Sequence, residues 1–383
     1  MVVVYHVWTQ SGFPRLDGSV IRNFIGANFF GVDLFFVLSG FVLFVPMVRR
    51  GGPGSGKAYA IRRVGRVAPA YYLTILVAAA FRPWVHIFES HDSFFSTTGL
   101  AHLFVVQTPV LGYNPNELGF GGAGQVWTLS HEMIFYVALF FIGSAFAKRP
   151  LVGFTIALAI SLGWRAALIR YIDDPDLMRD VAIQVPSYVL HFALGMLVAV
   201  VHVRMPVDAK QRFGRWAPWL LVATLALVSV LMGLSGMRGL NGTEGAGDHH
   251  LRNVGIATCF AVVLLCIVNG PAWLSAKLDH RALRWLGEIS YGVYLFHIFV
   301  IGFALWLWGG PPVPPAIASN QMFFSLLGWT VPMTCIVAKF SYDYIEQPIR
   351  EAFRMTGTRL AAGRRATAIG AARERARQAR AAR

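Results

Sequence analysis

Charge is scarce in this 383-residue chain: Asp, Glu, Lys and Arg make up 14% of it, and only 19 residues are acidic. With 56% hydrophobic residues and a mean hydropathy of +0.54, that scarcity excludes an ordinary soluble domain. Cysteine is scarcer still. Cys259, Cys266 and Cys335 all lie in apolar stretches and no loop carries a pair, so a disulfide framework is not indicated and small core-packing residues are expected. No internal repeat is visible, which weighs against carriers built from inverted repeats. Metal-ligand spacing is missing too: Asp248-His-His250 is a short polar loop with too few placed ligands.

What the chain has in abundance is apolar runs of spanning length. Ten are visible: a remnant at 1–10, then 27–48, 67–85, 126–147, 150–169, 184–202, 216–234, 252–270, 285–308 and 319–345. Each of the later nine approaches the ~20 residues a bilayer-spanning helix requires. Lipid leaves no water for unpaired backbone groups, so an all-α polytopic bundle is expected, its first helix truncated at the N-terminus. Basic residues set its orientation. With the N-terminus inside, 25 of the 34 Lys and Arg fall in cytoplasmic segments and 8 in outer ones. This predicts a multi-pass plasma-membrane protein with a cytoplasmic C-terminus. The net charge of +15 is then mostly topological, and nucleic-acid binding is not expected.

The outer loops 86–125, 171–180 and 236–250 are the long connections suited to an extracytoplasmic partner, or else plain solvated loops. We expect a transmembrane domain over 1–348 and a flexible basic tail over 349–383. The run Gly51-Gly-Pro-Gly-Ser-Gly-Lys57 resembles a phosphate loop, but it joins two membrane helices and follows no strand, so that reading is rejected.

Two features break the apolar pattern informatively. Asp33 sits alone in Phe29-Phe-Gly-Val-Asp-Leu-Phe-Phe-Val-Leu-Ser-Gly-Phe41, where hydrocarbon forces a carboxyl towards the bundle interior or a wet cavity. Arg62, Arg63 and Arg66 crowd the mouth of the next helix at i,i+3 and i,i+4 spacing, which places them on a shared flank. Paired guanidinium forks suit phosphate, although an anchor of the positive-inside kind has the same composition. Together the two features point to an intramembrane site that meets a phosphorylated donor at one surface.

Those segments resemble the acyltransferase 3 family of integral membrane enzymes, and further motifs follow in the family's order. Val2-Val-Val-Tyr-His6 looks like its first-helix motif, and Arg63-Val-Gly-Arg66 like its Arg-x-x-Arg element. Trp127-Thr-Leu-Ser-His-Glu132-Met-Ile-Phe-Tyr136 is similar to its Trp-Ser-Leu-x-x-Glu-x-x-Phe-Tyr signature. Glu288-Ile-Ser-Tyr-Gly-Val-Tyr-Leu-Phe-His297 and Ile345-Glu-Gln-Pro348 look like its late-helix and closing motifs. The family's usual Arg, ten residues before the His, would precede Met1, so the functional gene is expected to start upstream. Thr128 and His131 are milder departures.

The resemblance implies transfer of an acyl group, typically acetyl, from cytoplasmic acyl-CoA to a hydroxyl outside. The acceptor would be a glycan, a lipid-linked sugar or a small molecule, and no permanently bound cofactor is expected. A hydroxyl needs a base within hydrogen-bond reach, and His6 is the candidate. Asp33 and Glu132, each roughly 8 Å inside the outer end of its helix, are candidates to orient that imidazole, or else structural carboxylates. Tyr136, one turn beyond Glu132, is placed to hydrogen-bond to it. Trp127 joins the candidates through its motif. His297 would bind the acyl carbonyl, relay protons or lock helices together; Ser39 would carry an acyl-enzyme or, with Gly40, allow close helix packing. Arg62, Arg63 and Arg66 would hold the CoA phosphates. A multi-pass transporter with a buried His/Asp site, and an inactive remnant, are the competing readings.

Overall fold

The computed structural model describes residues 1–14, 19–81, 97–108, 124–240, 246–308 and 319–359, and every regular element among them is helical. A short first helix, α1 (Val2–Gln10), is followed by α2 (Ser19–Gly26) and, through one 3-10 turn, by α3 (Gly31–Arg50) and α4 (Gly56–Phe81). After α5 (Thr97–Leu103) come α6 (Trp127–Lys148), α7 (Pro150–Tyr171), α8 (Pro175–Ala182) and α9 (Val185–Arg204). Next are α10 (Val207–Leu240), α11 (Ala246–Asn269), α12 (Ala272–Leu278) and α13 (Arg281–Leu307), then α14 (Asn320–Ser341), which passes through a π turn at Tyr342–Glu346. Helix continues beyond that turn to 359, and the rest of the tail expected over 349–383 lies outside the described residues.

Eight helical stretches among the described residues are long and apolar enough to cross a membrane, against the ten read from the sequence. Of the other two, α1 is only nine residues long, and the run read at 67–85 extends past the end of α4 at Phe81 to residues outside those described. The architecture is a polytopic all-α membrane bundle. The three cysteines are free and lie within helices, as their apolar setting predicts. No cluster of metal-ligating side chains occurs among the described residues.

The centre of the bundle is the crossing of α3 and α9. A methyl group built on Gly40 would overlap the Phe192 carbonyl, and one on Gly195 would overlap the Val37 carbonyl. Small residues at both positions therefore let two backbones touch, the packing that membrane helices use in place of a hydrophobic drive. Phe36, Leu43 and Phe44 of α3 then pack with Phe135 and Leu139 of α6 and with Phe192 and Met196 of α9. α3 ends at Gly51, whose φ of +73° supplies the left-handed turn that stops the helix.

α1 docks elsewhere. Val7 and Trp8 pack against Ile298, Ile301 and Leu305 of α13 and against Phe323 and Leu326 of α14. The indole of Trp8 donates to the Pro14 carbonyl, which ties down the segment leaving α1. This packing brings the first helix beside the late helix that carries His297.

Candidate active site

His6 Nδ1 lies 2.7 Å from His297 Nε2, and the two rings stack with centroids 4.9 Å apart. His297 is fully buried, and its Nδ1 faces the carbonyls of Tyr294 at 2.7 Å and Val293 at 3.2 Å. The surroundings hold this segment of α13 in place. Gln125 Nε2 donates to the Leu295 carbonyl at 2.6 Å, and the Tyr294 hydroxyl bonds to the Gln125 carbonyl and to Thr128 Oγ1, the latter at 2.8 Å. The start of α6 is thereby stapled to α13 at the level of the imidazole pair.

One turn into α6, Glu132 accepts a hydrogen bond from Tyr136, the i,i+4 contact its spacing predicts. Both are almost completely buried. Arg66 and Glu132 line one cavity of about 290 Å³, together with Val2, Gly31, Phe35, Thr128, Tyr291 and Tyr294. Val2 lies one turn before His6 on α1, and Tyr294 one turn before His297 on α13. The cavity thus runs from a guanidinium and a carboxylate to the residues next to the imidazole pair.

The three arginines have different surroundings. Arg66 faces the cavity just described. The Arg63 guanidinium lies 5.2 Å from the ring centres of both Tyr59 and Tyr136, in a second cavity of about 300 Å³ walled by Met133, Phe140 and Phe141. Arg62 runs beside Gly357 of the C-terminal helix: a Cβ there would sit 3.3 Å from Arg62 Cγ. The shared flank read from the spacing resolves into three surroundings, because side chains 100° and 40° apart on a helix meet different neighbours.

Asp33 hydrogen-bonds to other partners than the imidazole pair. Its carboxylate accepts from His191 Nε2 at 2.7 Å and from Asn253 Nδ2 at 2.5 Å. Arg165 Nη2 in turn reaches Asn253 Oδ1 at 2.5 Å and the Ser187 carbonyl at 3.0 Å. These residues belong to α3, α9, α11 and α7, so the network ties four helices together. Sequence reasoning missed His191, Asn253 and Arg165. The available signal was the same one that exposed Asp33, a polar residue isolated in an apolar span.

Neither Asp33 nor Glu132 hydrogen-bonds to His6; His297 occupies that place. Trp127 packs its ring on Phe36, His131 and Tyr188. Ser39 is half-buried, and no imidazole or carboxylate hydrogen-bonds to its hydroxyl among the described residues, while its neighbour Gly40 serves the helix crossing. His131 bonds to the carbonyls of Trp127 and Ile183, a departure from the signature that serves packing.

This bundle, with its late-helix histidine beside a first-helix histidine and its Arg/Glu cavity, has the makings of a membrane-embedded group-transfer site. Residues 1–339 match the profile described as "Acyltransferase domain", and the chain belongs to that family. It is 25% identical over 379 residues to the Bacillus subtilis (strain 168) protein named "Putative peptidoglycan O-acetyltransferase YrhL", an alignment covering 91% of this chain and 56% of that one. It is 23% identical over 371 residues to the peptidoglycan O-acetyltransferase OatA of Listeria monocytogenes serovar 1/2a, covering 91% of this chain and 54% of the relative. The chain therefore spans about half the length of the curated relatives it matches. No solved structure matches it.

Proposed function

We propose that this chain transfers an acetyl group from acetyl-CoA, bound towards the Arg66 end of the bundle, to a hydroxyl of a peptidoglycan-type glycan at the His6 end. The single observation that carries the reading is the cavity joining Arg66 and Glu132 to the residues beside His6 and His297. Its walls are mostly apolar, with Val32, Leu34, Phe35, Leu38 and Leu129, and suit a pantetheine arm better than a polar solute. Arg66 offers the fork geometry a pyrophosphate needs. The acceptor comes from the relatives' names, and the cytoplasmic position of the donor from the distribution of Lys and Arg.

The chemistry is then direct acyl transfer. His6 takes the proton of the acceptor hydroxyl as its oxygen attacks the thioester carbonyl. The carbon–sulfur bond breaks, and the departing thiolate takes the proton back from the imidazolium, leaving CoA thiol and an O-acetyl ester. General-base help of this kind is worth roughly 10² to 10⁴ in rate. Glu132, held by its hydrogen bond from Tyr136, lines the same cavity as Arg66 and would offset its charge.

The test is the ester-linked acetate of the cell wall in a deletion strain complemented with the full gene. Wild type should restore it, and His6→Ala should not. Arg66→Ala should raise the acetyl-CoA concentration needed for transfer in membrane vesicles at least tenfold while leaving acceptor dependence unchanged. Equal acetate in all strains would sink the reading.

A further inference from the structure

We infer that His297 is a positioning residue that fixes the tautomer of His6 and leaves His6 Nε2 as the atom that takes the acceptor's proton. The inference rests on the proposed role of His6 as base and adds which nitrogen acts and what selects it.

The argument needs only donors and acceptors. The carbonyls of Tyr294 and Val293 can only accept, and both face His297 Nδ1, so that nitrogen carries the hydrogen. In a neutral imidazole the other nitrogen then has the lone pair. His297 Nε2 is therefore an acceptor, and the 2.7 Å contact to His6 Nδ1 is a hydrogen bond only if His6 donates it. His6 is left with its lone pair on Nε2, which has no hydrogen-bond partner among the described residues, on a ring that is half-buried where His297 is fully buried.

Two of the roles open to His297 from sequence are closed by the same geometry. Both its nitrogens are engaged, so it has no free N–H for an acyl carbonyl. A proton passed to it from His6 would meet carbonyls, which cannot carry it further. What remains is the work of the third group in a catalytic triad: holding the base ring in one orientation and one tautomer, and stabilising the imidazolium as it forms. Stacking of the two rings adds to the orientation. A Gln at 297 has an amide oxygen that can stand where Nε2 stands, whereas Ala has nothing to accept with.

The decisive experiment combines tautomer and rate on the full-length protein. Ring nitrogens of ¹⁵N-histidine-labelled protein in micelles are read by long-range ¹H–¹⁵N correlation, with His6 signals identified by their loss in His6→Ala. Rates are measured in proteoliposomes with radiolabelled acetyl-CoA and isolated peptidoglycan glycan strands. Wild type is expected to show His6 protonated at Nδ1. His297→Gln should keep that tautomer and stay within about tenfold in rate. His297→Ala should move His6 to the Nε2–H form and lose roughly 100-fold in kcat with little change in KM for acetyl-CoA. An Nε2–H His6 in wild type, or an unchanged tautomer and rate in His297→Ala, would overturn the inference. Should His297→Ala fail to fold, the wild-type and His297→Gln spectra and rates decide the matter alone. Full activity in His6→Ala would instead sink the proposed base, whatever the spectra say.

Discussion

A carboxylate inside a membrane bundle is stable only while its lone pairs are matched, and Asp33 meets that condition with His191 and Asn253, and with Arg165 one step beyond. Asp33→Ala would leave the His191 and Asn253 N–H groups without their acceptor and remove the carboxylate nearest the Arg165 charge. Removing one partner from such a buried network costs about 3–5 kcal/mol. The expected outcome is a large drop in membrane abundance and in the unfolding temperature of the solubilised protein, with Asp33→Asn milder because it keeps an acceptor. Normal abundance and stability with lost transfer would place Asp33 in the reaction instead. The residue's inward orientation was legible, since hydrocarbon leaves a lone Asp no alternative. Its partners were not, because they lie 158 and 220 residues away and nothing in a linear sequence pairs isolated polar positions across helices. The same holds for His6 and His297, each visible as a candidate yet separated by 291 residues.

At the scale of helices, the contact that orders the bundle is made by two glycines. A methyl on Gly40 or Gly195 would overlap a backbone carbonyl of the facing helix, and no rotamer change can relieve a clash with backbone. Gly40→Ala and Gly195→Ala should each destabilise by about 1–3 kcal/mol, the usual cost of overpacking. Gly163→Ala, at a helical site with open space around it, should be neutral or stabilising by up to about 1 kcal/mol from helix propensity alone. Thermal unfolding of the solubilised variants checks the contrast, and equal shifts at all three positions would mean that the crossing is not close. Ser39-Gly40 was legible as a packing motif because small residues are what membrane helices use to approach. That α9 is the partner was not legible, since small-residue spacing names a face but not the face opposite. Helix count shows the same boundary: composition revealed the long apolar runs, but α1, at nine residues, is too short to match a span.

For the whole molecule, function depends on which end of the bundle faces which compartment. Acyl-CoA is a cytoplasmic compound, so a donor site at Arg66 works only if the α3–α4 turn and the C-terminal helix are inside. Those two segments hold 6 and 10 of the 25 Lys and Arg assigned to the inner side, which is the basis for expecting that arrangement. Thr356, on the C-terminal helix, and Asp173, after α7, are both exposed and lie in segments assigned to opposite sides. In whole cells, a membrane-impermeant maleimide should label Asp173→Cys and should reach Thr356→Cys only after permeabilisation. The native thiols should contribute little background, because Cys259 and Cys266 are buried, Cys335 lies within α14, and maleimide needs a solvated thiolate. The reverse labelling would turn Arg66 away from any CoA pool. The cavity would then have to be read as an acceptor site, and the acetyl donor sought among compounds found outside the cell. Labelling of both variants in intact cells would point to a mixed topology, and the charge asymmetry would no longer serve as a guide to either end of the site.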